Sequence, residues 1–224
     1  MRRLIAILIS IVAWASCGYA HAGPPYPLRE NLTFDANSRL AMVVFEAEPN
    51  TVGPSWTLDF LQFDPQTRTW TYGMMRGWSH FEAIAPGALG RQFYAGLVDP
   101  GGIYAINSIA AGSYWHACFN GGAESFTLQA GAINYIGLID PNPTILDIAR
   151  ALPNETRGKH LFMFDTPRLA YTPASERPNW EADVTAYVAS HFPRVRAAVV
   201  APAPTEVTFE RGHSIIAGDI CEKY

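Results

Sequence analysis

Residues 101–140, GGIYAINSIAAGSYWHACFNGGAESFTLQAGAINYIGLID, alternate short apolar runs with glycine-bearing turns. Runs of four to eight residues rich in Ile, Tyr, Phe and Trp, bounded by Gly, have the length and residue preference of β-strands and are too short for helices. From Ser113 to Phe119 the two-residue period puts Trp115, Ala117 and Phe119 on one face and Tyr114, His116 and Cys118 on the other. From Ser125 to Ala130 it turns Phe126, Leu128 and Ala130 inward and Ser125, Thr127 and Gln129 outward. Ile133 to Ile139 is almost continuously apolar. Strands this close in sequence are natural antiparallel neighbours, so the segment predicts a β-meander.

The rest of the chain extends the pattern. RLAMVVFE (39–46) is rich in β-formers and reads as a buried strand. WTLDFLQF (56–63) and TWTY (69–72) flank Asp64-Pro65-Gln66-Thr67-Arg68, which predicts a hairpin. FYAGL (93–97), KHLFMF (159–164) and Glu206–Phe209 add further strands. Two segments change period. Asn142 and Pro143 suit a helix start, and Ile145, Ile148, Ala149 and Leu152 then share a face until Pro153. Asn179 is a cap candidate for a second helix with Trp180, Val184, Tyr187, Val188 and Phe192 at helical spacing, stopped by Pro193. The expected fold is a mainly β, antiparallel sandwich with accessory helices near 143–152 and 180–192, forming one domain over 23–224.

The N-terminus predicts export. Met-Arg-Arg precedes an apolar run from Leu4 to Ala15, which has the charge and length of a signal peptide and is short for a membrane span. Ala20-His21-Ala22 is an A-x-A site that would leave Gly23 first, so residues 1–22 are read as the signal peptide. An alternative is a lipobox at Trp14–Gly18 with Cys17 lipidated, although Trp14 stands where Leu is usual. Loss of Arg2 and Arg3 leaves 14 basic against 20 acidic residues, a net charge of −6. An acidic chain argues against nucleic acid as a partner and limits membrane association to that lipid anchor. Cys118 and Cys221 then remain, and a cysteine pair in an exported chain predicts a disulfide that ties the C-terminal segment to the Cys118 strand.

Gly102, Tyr104, Trp115, Cys118, Phe119, Phe126, Ala130, Gly131, Tyr135, Ile136 and Gly137 form a pattern of turn glycines and core aromatics. Together with the helix ending in His191-Phe192-Pro193, it resembles small exported bacterial sandwich modules of unknown function. These are akin to the prealbumin-like, carboxypeptidase-regulatory type of β-sandwich. The resemblance spans residues 93–200. It implies an envelope location and a sandwich fold, and it transfers no catalytic residue.

Few residues invite chemistry. His116 and Cys118 sit two apart on one strand, so both could reach one metal ion, with His213 and Cys221 as completing ligands if the C-terminus folds back. A disulfide beside a packed histidine accounts for the same residues. A Cys118 nucleophile with His116 as base suffers from side chains that run alongside each other instead of converging. Glu46 and Glu48 are read as flanking a strand end toward solvent, and Asp59 and Asp64 as ordinary acids. Trp56, Phe60, Trp70, Tyr72, Trp78 and Phe81 could form a stacking platform or cross-strand core. Within YGMMRGWSHFE (72–82), read as a loop, Met74, Met75, Trp78 and His80 are the candidate ligand-binding residues. No catalytic residue, metal site or cofactor is assigned. The expected role is a non-enzymatic structural or interaction module of the envelope, acting on a protein partner whose identity the residues do not specify. The alternatives are a ligand-binding module at 74–81 and a metal or thiol enzyme at His116 and Cys118.

Overall fold

The computed structural model describes residues 28, 30–49, 56–70, 78–82, 92–111, 115–151, 161–166, 168–214 and 218–221. In chain order the first strands are β1 (Phe34–Asp35), β2 (Ala41–Ala47), β3 (Trp56–Asp64), β4 (Thr69–Trp70), β5 (Trp78–Glu82) and β6 (Gln92–Val98). Next come β7 (Ile103–Ala111), β8 (Trp115–Cys118), β9 (Ala123–Thr127), β10 (Ile133–Asp140), helix α1 (Asn142–Ala151), β11 (Leu161–Met163) and β12 (Ala170–Thr172). A 3-10 turn (Ala174–Glu176) leads to helix α2 (Trp180–His191). The chain closes with β13 (Val195–Arg196), β14 (Val199–Val200), β15 (Thr205–Val207), β16 (Gly212–Ser214) and β17 (Gly218–Ile220).

Among the described residues these strands build two main sheets. The smaller runs β12-β10-β2-β6, with β14 also on β10. The larger runs β11-β8-β7-β3-β4, with β9 on β7, β15 on β9 and β5 on β3. The two sheets face each other across one apolar core. Val43 and Phe45 of β2 and Ile136 and Ile139 of β10 meet Leu58, Phe60, Ile106 and Phe126 from the larger sheet. Ile145 and Ile148 of α1 join this core. Helix α2 covers the other face of the smaller sheet, where Met42, Val44, Ile133 and Tyr135 pack on Val184, Val188 and Phe192. The expected mainly β, sandwich-like domain with two helices is what the chain forms.

The covering of the smaller sheet on both sides explains its sequence. All seven residues of β2 are buried, alternate ones entering alternate cores. β10 is likewise buried over seven of its eight residues. Strands shielded on both faces read as continuous apolar runs, without the alternation of a half-exposed strand. This corrects the expected meander. β8 and β9 both pair antiparallel with β7, β8 with its C-terminal part and β9 with its N-terminal part. β10 leaves for the other sheet and runs parallel to β2. The chain crosses over at Gly131, whose φ is +65° and whose N–H donates to the Leu40 carbonyl at 2.9 Å. Ser125, expected to face solvent, is buried because β15 lies alongside β9 and the Ser125 hydroxyl bonds to Thr205. Ala130, expected inside, is exposed in the turn.

The hairpin over 64–68 is present: Phe63 pairs with Trp70, and the Asp64 carboxylate accepts the Gln66 N–H at 2.8 Å. That bond, with help from Thr67, holds the Asp64 carboxyl below the usual carboxylate range. Both helix caps differ from expectation. Asn142 is already helical, and Asp140 supplies the acceptor for its N–H and side-chain amide. Asn179 precedes α2 in the left-handed region, with no side-chain cap bond. Leu152 and residues 215–217 lie outside the described residues, as do residues 1–27, which include the expected signal peptide.

Gly137 interrupts β10 for a definite reason. The register between β10 and β2 shifts between Tyr135 and Leu138, and Gly137 sits in that irregularity at φ +112°. A Cβ there would lie 2.5 Å from the Thr172 carbonyl oxygen and 2.8 Å from the Tyr171 ring. Gly137→Ala should therefore destabilise the domain by ~2–3 kcal/mol, combining the unfavourable φ with a backbone clash. Urea denaturation followed by tryptophan fluorescence measures this; a midpoint equal to that of the parent protein would rule the strain out.

Candidate functional site

Of the four residues expected to bind a ligand, Met74 and Met75 lie outside the described residues. Trp78 and His80 do not belong to a loop. They lie in β5, paired antiparallel with β3, so half of the supposed binding loop is sheet; their side chains lie outside the description. Three other members of the aromatic group are core. Trp56 packs near Tyr94, Phe60 stacks on Tyr104 at 5.2 Å, and Trp70 meets Phe63 and Phe209 at 5.0 and 4.8 Å. Tyr72 and the Phe81 side chain are outside the description. Cys118 and Cys221 form the disulfide, with Cα atoms 5.3 Å apart, so neither is a thiolate nucleophile in this state. His116 lies on β8 opposite Ala110 and Phe162. Among the described residues no group of three His, Cys, Asp or Glu side chains is placed to hold a metal ion.

The most distinctive polar cluster was not expected. Glu46 was read as solvent-facing, yet it is 3% exposed. It follows Met42 and Val44 in the alternation of β2, which turns it toward the α2 side of the smaller sheet. The Tyr135 hydroxyl donates to Glu46 Oε1 at 2.7 Å. Arg177, just before α2, donates from Nη2 to Glu46 Oε2 at 2.7 Å. Trp180, the first residue of α2, stacks on Tyr135 with ring centroids 5.3 Å apart and planes 8° from parallel. Burial raises the Tyr135 hydroxyl far above the ordinary phenol range, and its bond to the Glu46 carboxylate raises it further. Burial opposes the Arg177 charge, but the bonds to Glu46 and Tyr135 outweigh it and hold the guanidinium above its ordinary value. Chemically, Tyr135 is locked as a donor and Arg177 as a cation. The arrangement rivets the start of α2 to the sheet. The sequence carried a signal for it: a lone carboxylate inside an apolar run buried on both faces needs a cationic or donor partner.

A second row crosses the larger sheet. Asp59 on β3 is the register partner of His80 on β5 and of Ser108 on β7, and Ser108 is the partner of Cys118 on β8. The Ser108 hydroxyl donates to Asp59 Oδ2 at 2.9 Å, with both residues buried. The register between β3 and β7 shifts here and leaves Asn107 as the extra residue. Asn107 is buried, and neither atom of its amide has a hydrogen-bond partner. The Ser108–Asp59 bond joins β3 to β7 across the outer row of the larger sheet.

Two further clusters bind the C-terminal part of the chain. Asn120 and Asp165 exchange reciprocal bonds at 2.8 Å, and Arg211 pairs with the same carboxylate. The Asn120 bond, then the Arg211 bond, hold the Asp165 carboxyl below its usual range. Arg168 bridges Glu124 and Glu206, which face each other across β9 and β15. Burial raises the Glu124 carboxyl despite the neighbouring Arg168 charge.

Fold and clusters together define a class: among the described residues, a mainly β domain with two main sheets, two helices and one disulfide. No known protein family, curated protein or solved structure matches this chain.

Proposed function

We propose that the protein is an exported, non-enzymatic module of the cell envelope that works through protein contacts. One observation carries the reading. Cys118 and Cys221, 103 positions apart, are joined in a disulfide that closes the domain. Structural disulfides of this kind persist in oxidising compartments, in accord with the basic and apolar leader of residues 1–22. The buried polar clusters favour a structural role. Glu46 is satisfied by Tyr135 and Arg177, and Asp59 accepts from Ser108, so these carboxylates serve to join elements. The two-layer arrangement and the positive-φ glycines at 131, in a turn, and 137, within β10, support the finer reading, a sandwich akin to the prealbumin-like kind.

Expression of the full chain in a bacterial host tests this reading. The periplasmic fraction should hold a chain that begins at Gly23 and shows the mass deficit of one disulfide. Retention in the cytosol with the leader uncut and both thiols free would overturn it. A diacylglyceryl adduct on Cys17 would replace cleavage after Ala22 with lipid anchoring.

A further inference from the structure

Three strands lead into an Asp-Pro pair: β3 into Asp64-Pro65, β6 into Asp99-Pro100 and β10 into Asp140-Pro141. The amide to proline is tertiary and its nitrogen carries no hydrogen. That nitrogen is more basic than an ordinary peptide nitrogen and leaves more readily once protonated. An aspartate side chain also reaches its own main-chain carbonyl carbon, closing a cyclic anhydride. The Asp-Pro link is therefore open to attack from within the chain, where the nucleophile is already in place.

The fold treats the three pairs differently. The Asp64 carboxylate accepts the Gln66 N–H at 2.8 Å, and the Asp140 carboxylate accepts the Asn142 N–H at 3.0 Å. Either bond must break before the carboxylate can turn on its own carbonyl. Among the described residues the Asp99 carboxylate is engaged in no such bond. Its main-chain carbonyl instead accepts the Tyr104 hydroxyl at 2.7 Å. Tyr104 is wholly buried and stacked on Phe60, so this donor is fixed in place. Gln62 lies against the same turn: a Cβ at Gly102 would come within 2.5 Å of its Nε2. Asp99 and Pro100 are themselves half-buried, within reach of water. The charged groups on the adjoining strand ends are Arg39, just before β2, whose Ala41 pairs with Val98, and Asp64, at the end of β3. A hydroxyl aimed at a carbonyl oxygen stabilises the negative charge that gathers there under attack.

We propose that Asp99–Pro100 is a self-processing bond, cut in mild acid with Tyr104 as the oxyanion donor. A side-chain oxygen of Asp99 bonds to the Asp99 carbonyl carbon, the carbon–nitrogen bond to Pro100 breaks, and the carboxyl proton passes to the proline nitrogen. Water then opens the cyclic anhydride and leaves Asp99 with free α- and β-carboxyl groups. The pieces stay together as one nicked domain, because β2 before the cut pairs with β10 after it, and β3 with β7. Cys118 and Cys221 both follow the cut, so the disulfide does not join the pieces.

The test is incubation of the folded protein at about pH 4, where carboxyl groups in general begin to hold protons. Mass spectrometry and a denaturing gel read the fragments. Scission after Asp99 should run about tenfold or more faster than after Asp64 or Asp140 in the same sample. Tyr104→Phe keeps the ring and removes the hydroxyl. With native circular dichroism, this variant should be cut after Asp99 about tenfold or more slowly than the parent, with the other two bonds unchanged. Equal rates at the three bonds, no scission after Asp99, or a natively folded Tyr104→Phe protein cut as fast as the parent would overturn the proposal. Should the variant not fold, the parent protein in urea decides. Unfolding removes the Tyr104 contact, so scission after Asp99 should slow to the rate of the other two bonds; an unchanged or faster rate would refute the assignment. No readout depends on the compartment in which the protein resides.

Discussion

Arg177→Met should destabilise the domain by ~3–5 kcal/mol, the usual consequence of leaving a buried carboxylate without its partner. Glu46 lies between the smaller sheet and α2, and the Arg177 guanidinium neutralises it there at 2.7 Å. Methionine keeps much of the length and apolar bulk of the arginine stem, so the loss reports on charge and hydrogen bonding more than on packing. The double variant E46Q/R177M separates the effects. Glutamine keeps an oxygen for the Tyr135 hydroxyl and removes the orphaned charge, so it should recover ~2 kcal/mol or more of the loss. Urea denaturation of both variants, followed by far-ultraviolet circular dichroism, gives the comparison. A single variant within ~1 kcal/mol of the parent protein would mean that water already solvates the pair, as at a surface salt bridge. A double variant no better than the single would locate the loss in packing.

Replacing Cys118 and Cys221 together by alanine should lower global stability by ~4–5 kcal/mol, the chain-entropy value for a loop of about a hundred residues. The separation of 103 positions places this bond at the strong end of that relation. In a domain of about two hundred residues such a loss lowers the melting temperature by roughly 10–15 °C. Calorimetry of the parent and double-alanine proteins measures it; a shift of under ~2 °C would mean that the unfolded chain is not restrained by the bond. This effect acts on the unfolded ensemble.

Much of the local structure was legible in the residues. β2, β3 and β6 match their apolar runs, β9 lies two residues earlier than its run, and both helices sit where the period changes. The hairpin over Asp64–Arg68 and the Cys118–Cys221 pairing were also readable. These features depend on neighbours in the chain or on the limited set of possible partners. What failed was non-local. β10 was grouped with its sequence neighbours, because an apolar run does not say which sheet will bury it. The segment around Trp78 was read as a loop because its glycines hide a strand, which β3 organises from twenty positions away. Glu46 was placed in solvent because charge alone suggests exposure, and its partners lie 89 and 131 positions along the chain.

By itself the sequence determined the class of fold, the positions of its turns and helices, and the cross-link that closes it. Periodicity, turn chemistry and the pairing of two cysteines are local or combinatorial properties. Only the tertiary structure decided that the smaller sheet would be covered on both faces. That single fact sends β10 across the sandwich and buries Glu46 beneath α2. It also makes an arginine just before a helix the group on which a buried charge depends. A charge is cheap in water and expensive in an apolar layer, and which environment it meets is settled when distant segments stack.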